Sequence, residues 1–528
     1  MSAIIDQFLT RVSETPAKTA LIVGHDRRSY AELKANARRY AEKLSGIAEG
    51  RRLNVALALE DCIECIEIVL ACLWSGHSVA IADPDWPASA LAENFDGIGI
   101  DLLIAEEAAA PALEKVLGTV PVAPRDALHD WFDEISGAAF LPAGDDAPFL
   151  IGFTSGSTGK PKAFRRGQGS WCASFGASDH DLPTGPDDIV LCPGLMKHTL
   201  GLYAVLYAVL RGATAIGARQ FGPTGPESHA SGVLDLVAAE RVTQLALIPP
   251  VAHWLGRAAR RENRYFQTVR QVTTTSMKLA DSTASLLKTY LPNAAVIEYY
   301  GSAETGFITV AKPDAAVPAA SVGRAMHGVS ISIRDAESGE ELPPGEIGLV
   351  HMQSLYLSDG YIFEYDTGGF RFSANGWATV GDFGWLDDRG MLTLAGRENN
   401  LMISGGHKVY PAEIEAVIRD HTEVEAACVF GLPNPVWGDI VCLATAPRHA
   451  RLKTLSTLCY DVLPPERCPQ VHFPLDELPR TPTGKIALTT LRENLGRRYG
   501  TQLAGMTMGT LQATRKARAF IPIAARAE

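Results

Sequence analysis

The chain lacks the marks of export and membrane residence. Asp6, Arg11 and Glu14 break up its first turns, where a secretory leader needs an uninterrupted apolar core. The longest apolar run worth testing, Leu202 to Leu210, falls far short of the roughly 20 residues that span a bilayer. Basic residues are in deficit, 48 Lys and Arg against 60 Asp and Glu, for a net charge of −12. No broad basic surface is therefore offered to nucleic acid. Cysteine is sparse and odd in number, nine in 528 residues, which excludes a disulfide scaffold and predicts reduced thiols in a cytoplasmic protein. Cys62, Cys65 and Cys72 lie closest together, but no second C-x-x-C and no paired His follows them. Three thiols on a buried helix face are favoured over a zinc or redox site. There is no internal repeat, and the absence of G-x-S-x-G excludes an α/β-hydrolase elbow.

What is present is an ordinary globular composition, 46% apolar and 20% charged, on a chain long enough to need at least two cores. An anionic substrate remains admissible where positive charge is concentrated locally. Over residues 1–145 helical and extended patterns alternate. Tyr30 to Leu44 has an amphipathic helical period, Leu53 to Leu59 reads as a buried strand, Asp61 to Trp74 as the next helix, and Val79 to Ala82 as a short strand. Such alternation with apolar strands predicts a parallel α/β sheet. The pattern resumes with strands near Ile189–Cys192, Ala213–Ile216, Leu245–Ile248 and Val296–Tyr299. Residues 321–395 turn to short alternating strands between Gly and Pro turns, predicting a β-rich subdomain. An α+β module follows over about 400–500, with a helix opening at Pro411-Ala412-Glu413, proline in the first turn and acid near the N-terminus. From Thr501 onward no period is evident, and 501–528 reads as a tail of unknown role.

The strongest local signal is an apolar strand from Phe149 that runs into Thr154, Ser155, Gly156, Ser157, Thr158, Gly159, Lys160, Pro161 and Lys162. Glycines let backbone N–H groups converge on an oxyanion, hydroxyls add donors, and lysine supplies charge. A Walker A loop is excluded, since it needs Gly where Thr154 stands and Ser or Thr where Pro161 stands. A flexible Ser/Gly surface loop is the competing reading. Hydroxyls and lysines gathered at the end of one buried strand favour phosphate binding.

This loop resembles the signature of the AMP-forming acyl and aryl acid ligases, the adenylating superfamily that includes acyl-CoA synthetases, firefly luciferase and peptide-synthetase adenylation domains. The likeness spans about residues 10–500, and further motifs recur in the family's order. Tyr300-Gly301-Ser302-Ala303-Glu304 resembles the adenine and magnesium motif, which implies Glu304 as a ligand of Mg²⁺. Gly376 to Asp382 resembles the segment whose aspartate holds the ribose hydroxyls, and Arg397 the ribose-binding arginine. Asn399 falls at the hinge. Ser404-Gly405-Gly406-His407-Lys408 resembles the C-terminal glycine loop on the thiol side, and Thr483-Gly484-Lys485 the motif of the mobile catalytic lysine. Taken singly, Glu304 reads equally as a solvated turn carboxylate, Asp382 as a turn residue, and Arg397 and Lys485 as surface charges. Two departures stand out. Ala303 replaces a usual threonine, a loss on the order of 1 kcal/mol for one hydrogen bond. Asn399 replaces a usual Asp or Lys, and Asn tolerates unusual backbone angles.

The resemblance implies a large N-terminal domain (1–398) of stacked α/β sheets with a β-rich subdomain, and a small mobile C-terminal domain (399–500). It implies a ligase that uses ATP, Mg²⁺ and coenzyme A to activate a small carboxylic acid as acyl-AMP and pass it to a thiol. His198 occupies the place of an acyl-ligase histidine rather than the aspartate of amino-acid-activating relatives; a core histidine is its competing reading. Ser276 and Met277 stand where relatives often carry small residues lining the acid pocket, against the alternative that Met277 packs into the core. An acyl carrier protein is the alternative acceptor, and a non-catalytic nucleotide-binding regulator the alternative class.

Overall fold

The Ile63–Ser75 and Thr199–Leu210 helices are apolar on nearly every side, so each must be covered all round. In the computed structural model they are the filling between two sheets. Their buried residues share one core with Leu21, Val23, Val190 and Ala215 of one sheet and with Val55, Leu57 and Val79 of another. The structure describes the chain except residues 1, 129–139, 142, 145, 155–160, 194–195, 197, 218–226, 319, 365–368, 420–423, 449–450, 481–485 and 524–528.

Among the described residues the largest sheet has 15 strands. Its first part is parallel: Thr19–Val23, Thr214–Gly217, Ile189–Cys192, Gln244–Leu247, Gln271–Thr274 and Ala295–Ser302 lie side by side. It then turns antiparallel through Gly306–Ala311, Ser321–Ala325, Met391–Arg397, Asp382–Leu386 and Gly348–Gln353, which is the predicted β-rich subdomain. The second sheet pairs Val122–Pro124, Leu102–Ala105, Asn54–Ala58, Ser78–Ile81 and Pro148–Thr154 in parallel, and Lys162–Gly167 returns antiparallel. The α/β expectation with a large N-terminal part and a smaller C-terminal one is met.

Local chemistry explains the helix starts. Ser29 and Glu32 close a reciprocal capping box at the Tyr30–Ala48 helix, which satisfies two orphan N–H groups. The buried Tyr30 hydroxyl donates to the carbonyls of Val209 (2.9 Å) and Ala213 (2.7 Å), tying that helix to the Thr199–Leu210 helix. All nine cysteines are free. Among the described residues, no helix is long and apolar enough to cross a membrane.

The third sheet, His407–Val409, Met402–Ser404, Ala426–Asn434, Gly438–Ala446, Val471–Pro474 and Ile521–Pro522, carries a separate core on each face. Its last strand lies in the stretch that shows no period in sequence. The boundary drawn at 500 falls inside the Leu488–Ala504 helix, and a second helix, Met508–Ala517, leads to Ile521–Pro522 paired with Val471–His472. Among the described residues, Leu503, Leu511, Phe520 and Ile523 are the buried anchors of this end in apolar cores, too few and too unevenly spaced to make a pattern.

Two histidines make the fold acid-sensitive. Burial pushes His77 and His472 down to about 4, and the His77 Nδ1 accepts from the Leu53 N–H at 3.3 Å, a bond that only the neutral ring can make. In the unfolded chain each titrates near 6.5. Between those values the unfolded chain binds protons that the folded one excludes, so stability is full above about pH 6.5 and falls as pH drops toward 4. Melting midpoints measured from pH 7.5 to 5 should fall progressively below 6.5. His77→Gln should flatten that slope by up to about 1.4 kcal/mol per pH unit, whereas an unchanged slope would show the His77 ring is not buried neutral.

Candidate active site

In open parallel sheets the carboxyl ends of strands are where ligands bind, and the sequence-selected loops leave those ends. Thr154 closes Pro148–Thr154, Cys192 leads to the Pro193–His198 loop, Thr274 leads to Ser276 and Met277, and Ser302 leads to Glu304. Thr274 is in register with Glu298 on the neighbouring strand. Lys278 donates to Glu298 Oε1 at 2.8 Å and the Leu279 N–H to Oε2 at 2.9 Å, fixing the Ser276–Met277 turn against the strand that carries Tyr300 to Glu304.

Glu304 sits in a tight turn. Ser302 and Thr305 exchange backbone-to-hydroxyl bonds across it, at 3.0 and 3.2 Å, so both hydroxyls serve the turn. Gly301 is required here, because a Cβ would lie 2.0 Å from the Gly306 carbonyl oxygen across the hairpin. Glu304 itself is buried, and its Oε1 accepts from the Tyr361 hydroxyl at 2.8 Å. The Lys162 ammonium lies 5.3 Å from the Tyr361 ring centroid. Burial lowers the Lys162 pKa, and Glu304 opposes that shift. Burial and the Glu304 charge push the Tyr361 phenol up, so it stays a donor. Tyr361 is the residue that sequence reasoning missed. It belongs to a two-residue strand, Gly360–Tyr361, paired with Phe164 and Arg165, and that pairing, with the Ser358 N–H donating to the Glu304 carbonyl at 2.7 Å, brings it to Lys162 and Glu304.

Asp382 and Arg397 are brought together. They are cross-strand partners, and Arg397 Nε donates to Asp382 Oδ1 at 2.8 Å. The Tyr300 hydroxyl donates to Oδ2 of the same carboxylate. Burial, then the Asp382 charge, holds the Tyr300 phenol protonated. Asp382 is 4% exposed. Each of its oxygens already has one protein donor, and a carboxylate has about four acceptor positions, so capacity for hydroxyl donors is left.

The acid-pocket candidates are open to solvent. His198 is exposed at the N-cap of the Thr199–Leu210 helix, which removes the core-histidine alternative. Its loop is pinned by Asp61, whose Oδ1 accepts from the Met196 N–H at 2.8 Å, a contact that sequence spacing gave no sign of. Met277 is 39% exposed and does not pack into the core. Ser276 has φ +79°, a left-handed conformation costing a non-glycine residue on the order of 1 kcal/mol.

Asn399 lies exposed in the Glu398–Asn400 turn, between the last long strand of the large sheet, Met391–Arg397, and the first of the third sheet, Met402–Ser404. Gly405 and Gly406 are both left-handed, at φ +59° and +84°. Lys408 pairs at 3.6 Å with Glu337 of the large domain. Ser155, Gly156, Ser157, Thr158, Gly159, Lys160 and Lys485 lie outside the described residues.

Against known proteins, the family model described as "AMP-binding enzyme" matches residues 8–362, and "AMP-binding enzyme C-terminal domain" matches 413–485. The chain belongs to the AMP-binding enzyme family. It is 31% identical to an uncharacterized acyl–CoA ligase of Bacillus subtilis, over 83% of this chain and 88% of that one. It is 29% identical to a long-chain-fatty-acid–CoA ligase of Mycobacterium tuberculosis, over 88% and 93%. The crystal structure of ATP-bound MatB from Rhodopseudomonas palustris superposes with a TM-score of 0.82 at 25% identity, covering 93% of this chain and 99% of that one.

For an AMP-binding enzyme the donor set around Glu304 fits Mg²⁺. A single buried carboxylate with one oxygen steadied by Tyr361 suits an ion bound mainly by phosphate oxygens and water, and no group of three or more metal-ligating side chains occurs among the described residues. Tyr361→Phe removes a hydrogen bond to a charged group. It should lower adenylate formation roughly 10- to 100-fold and raise the Mg²⁺ concentration needed for half-maximal pyrophosphate release. Unchanged Mg²⁺ dependence would show that Tyr361 does not steady the Glu304 carboxylate.

Proposed function

We propose that this enzyme joins a short, branched or aromatic carboxylic acid to coenzyme A through an acyl-AMP intermediate, with the residues above in named roles. The enzyme class is an AMP-forming acid–CoA ligase with ATP, Mg²⁺ and coenzyme A as its small-molecule partners. The observation that carries the roles is a pair of clusters joined by the Tyr300–Glu304 segment, Glu304 with Tyr361 and Lys162 on one side and Tyr300 with Asp382 and Arg397 on the other.

The first step brings a carboxylate to the α-phosphate of ATP, so two anions must meet. Cations and donors aimed at that charge lower the barrier most where water is excluded. Lys162, Arg397 and Lys485 supply positive charge, with the Thr154–Lys162 loop donating to phosphate oxygens. Bound to Glu304, Mg²⁺ supplies further charge neutralisation on the phosphates. The acid oxygen bonds to phosphorus, pyrophosphate leaves, and the mixed anhydride is kept from water. A thiolate then attacks the acyl carbon and AMP leaves. Rotation about Asn399 exchanges Lys485 for the Gly405–Gly406 face between the steps, so that each closed state completes one constellation. Coenzyme A is the acceptor in this reading, and no observation favours a carrier protein.

The size of the acid rests on Ser276 and Met277. Both are exposed at a strand end beside the Tyr300–Glu304 segment, where their side chains take space that a long alkyl tail needs. Each methylene left unburied forfeits about 0.8 kcal/mol, so preference should steepen over a few carbons.

Two experiments test the reading. Lys485→Ala should abolish acid-dependent pyrophosphate release but leave conversion of supplied acyl-AMP to thioester largely intact; an equal fall in both half-reactions would refute the division of labour. A panel of acids, with thioester formed from coenzyme A detected by mass, should favour short, branched or aromatic members. Met277→Ala should move the optimum to longer chains. Wild-type preference for palmitate-length acids, unmoved by Met277→Ala, would overturn the pocket assignment.

A further inference from the structure

The residues beyond the C-terminal family match, which ends at 485, fold back onto the glycine loop by two routes. The first runs through Trp437. The Arg515 guanidinium stands 4.8 Å from the centroid of the Trp437 ring and donates to the Glu466 carbonyl at 2.9 Å. Trp437 is 7% exposed; its Nε1–H donates to Ser404 Oγ at 3.0 Å, and its carbonyl accepts from the Gly405 N–H at 2.8 Å. The ring lies so close over the loop that a Cβ on Gly405 would be 2.8 Å from it. The second route runs through Gln470, which is fully buried. Its carbonyl accepts from the Ile521 N–H at 2.8 Å in the terminal strand, and its Nε2 donates to the same Ser404 Oγ at 3.3 Å.

Asn434 locks the junction. Its Nδ2 donates to the carbonyls of Leu503 at 2.9 Å and Met506 at 3.2 Å, where the chain leaves the Leu488–Ala504 helix. Its Oδ1 accepts from the Trp437 N–H at 2.9 Å. Left-handed glycines confer freedom on a loop, and a loop that must meet a thiol needs that freedom removed from outside. A cation over an indole face supplies attraction without filling the space on the loop side.

We infer that the C-terminal segment 507–523 is a buttress that holds Trp437 and Ser404 against the Gly405–Gly406 loop, making Arg515 a positioning residue for the thiol half-reaction. This rests on the assignment of that loop to the thiol step, which the preceding section proposes. The prediction is selective. Arg515→Ala in the full chain should raise hydrogen exchange of peptides covering 402–409, and should slow thioester formation from supplied acyl-AMP by about fivefold. Acid-dependent pyrophosphate release should stay within about twofold, because among the described residues the contacts of Arg515 stay within the C-terminal part of the chain. Arg515→Lys, which keeps a cation over the ring, should recover part of both losses.

Unchanged exchange at 402–409 would overturn the buttress. So would faster exchange with both half-reactions falling together, since that is what general destabilisation produces, or with neither falling. Wild-type enzyme that makes acyl-AMP but no thioester with coenzyme A would instead refute the assignment of the loop, and the exchange measurement would still decide whether the tail holds it.

Discussion

Parallel strands have to be covered on both faces, and most of this molecule's form follows from meeting that requirement twice with one layer of helices. Because the Ile63–Ser75 and Thr199–Leu210 helices serve two sheets at once, neither has a polar stripe to spare for chemistry. The candidate site residues lie instead where such sheets leave backbone and side chains uncommitted, at the carboxyl ends of the strands. That is where Thr154, His198, the Ser276–Met277 turn and Glu304 stand. The antiparallel continuation of the large sheet then carries Asp382 and Arg397 to the same neighbourhood on adjacent strands.

Much of this was legible in the residues because the two periodicities are strong. The strand and helix starts near Tyr30, Ile63, Ile189 and Pro411 fall within a residue or two of their observed places, since capping residues and buried strands are local properties. Motif order alone points to the AMP-binding family. What was not legible was anything created by pairing between distant segments. Tyr361 meets Glu304 through a two-residue strand paired with Phe164 and Arg165 and a bond from the Ser358 N–H to the Glu304 carbonyl, and Asp61 reaches Met196 across 135 residues. The C-terminal segment failed for a related reason. It is held by a few scattered apolar anchors and by single contacts to Gln470, Asn434 and Trp437, and such anchoring leaves no period to read.

In the roles proposed, the Asp382–Arg397–Tyr300 cluster makes a binding site and a joint share one set of atoms. Arg397 is the last residue of its strand, and the Glu398–Asn400 turn follows at once. A pairing that sets the position of Arg397 also sets where the small domain's tether leaves the sheet. Nucleotide contact at Asp382 would thus be felt at the base of the hinge through covalent geometry, with no relay of side chains needed.

Ser276 carries a different consequence. Its backbone is in the conformation that glycine adopts freely, so the protein tolerates local strain in order to keep a hydroxymethyl group where the proposed function puts the mouth of the acid pocket. Stability and selectivity pull in opposite directions at that position. A lineage selected only for robustness would drift toward glycine there and lose a constriction. Serine is the residue expected to persist where rejecting the wrong acid matters more than the last increment of folding free energy.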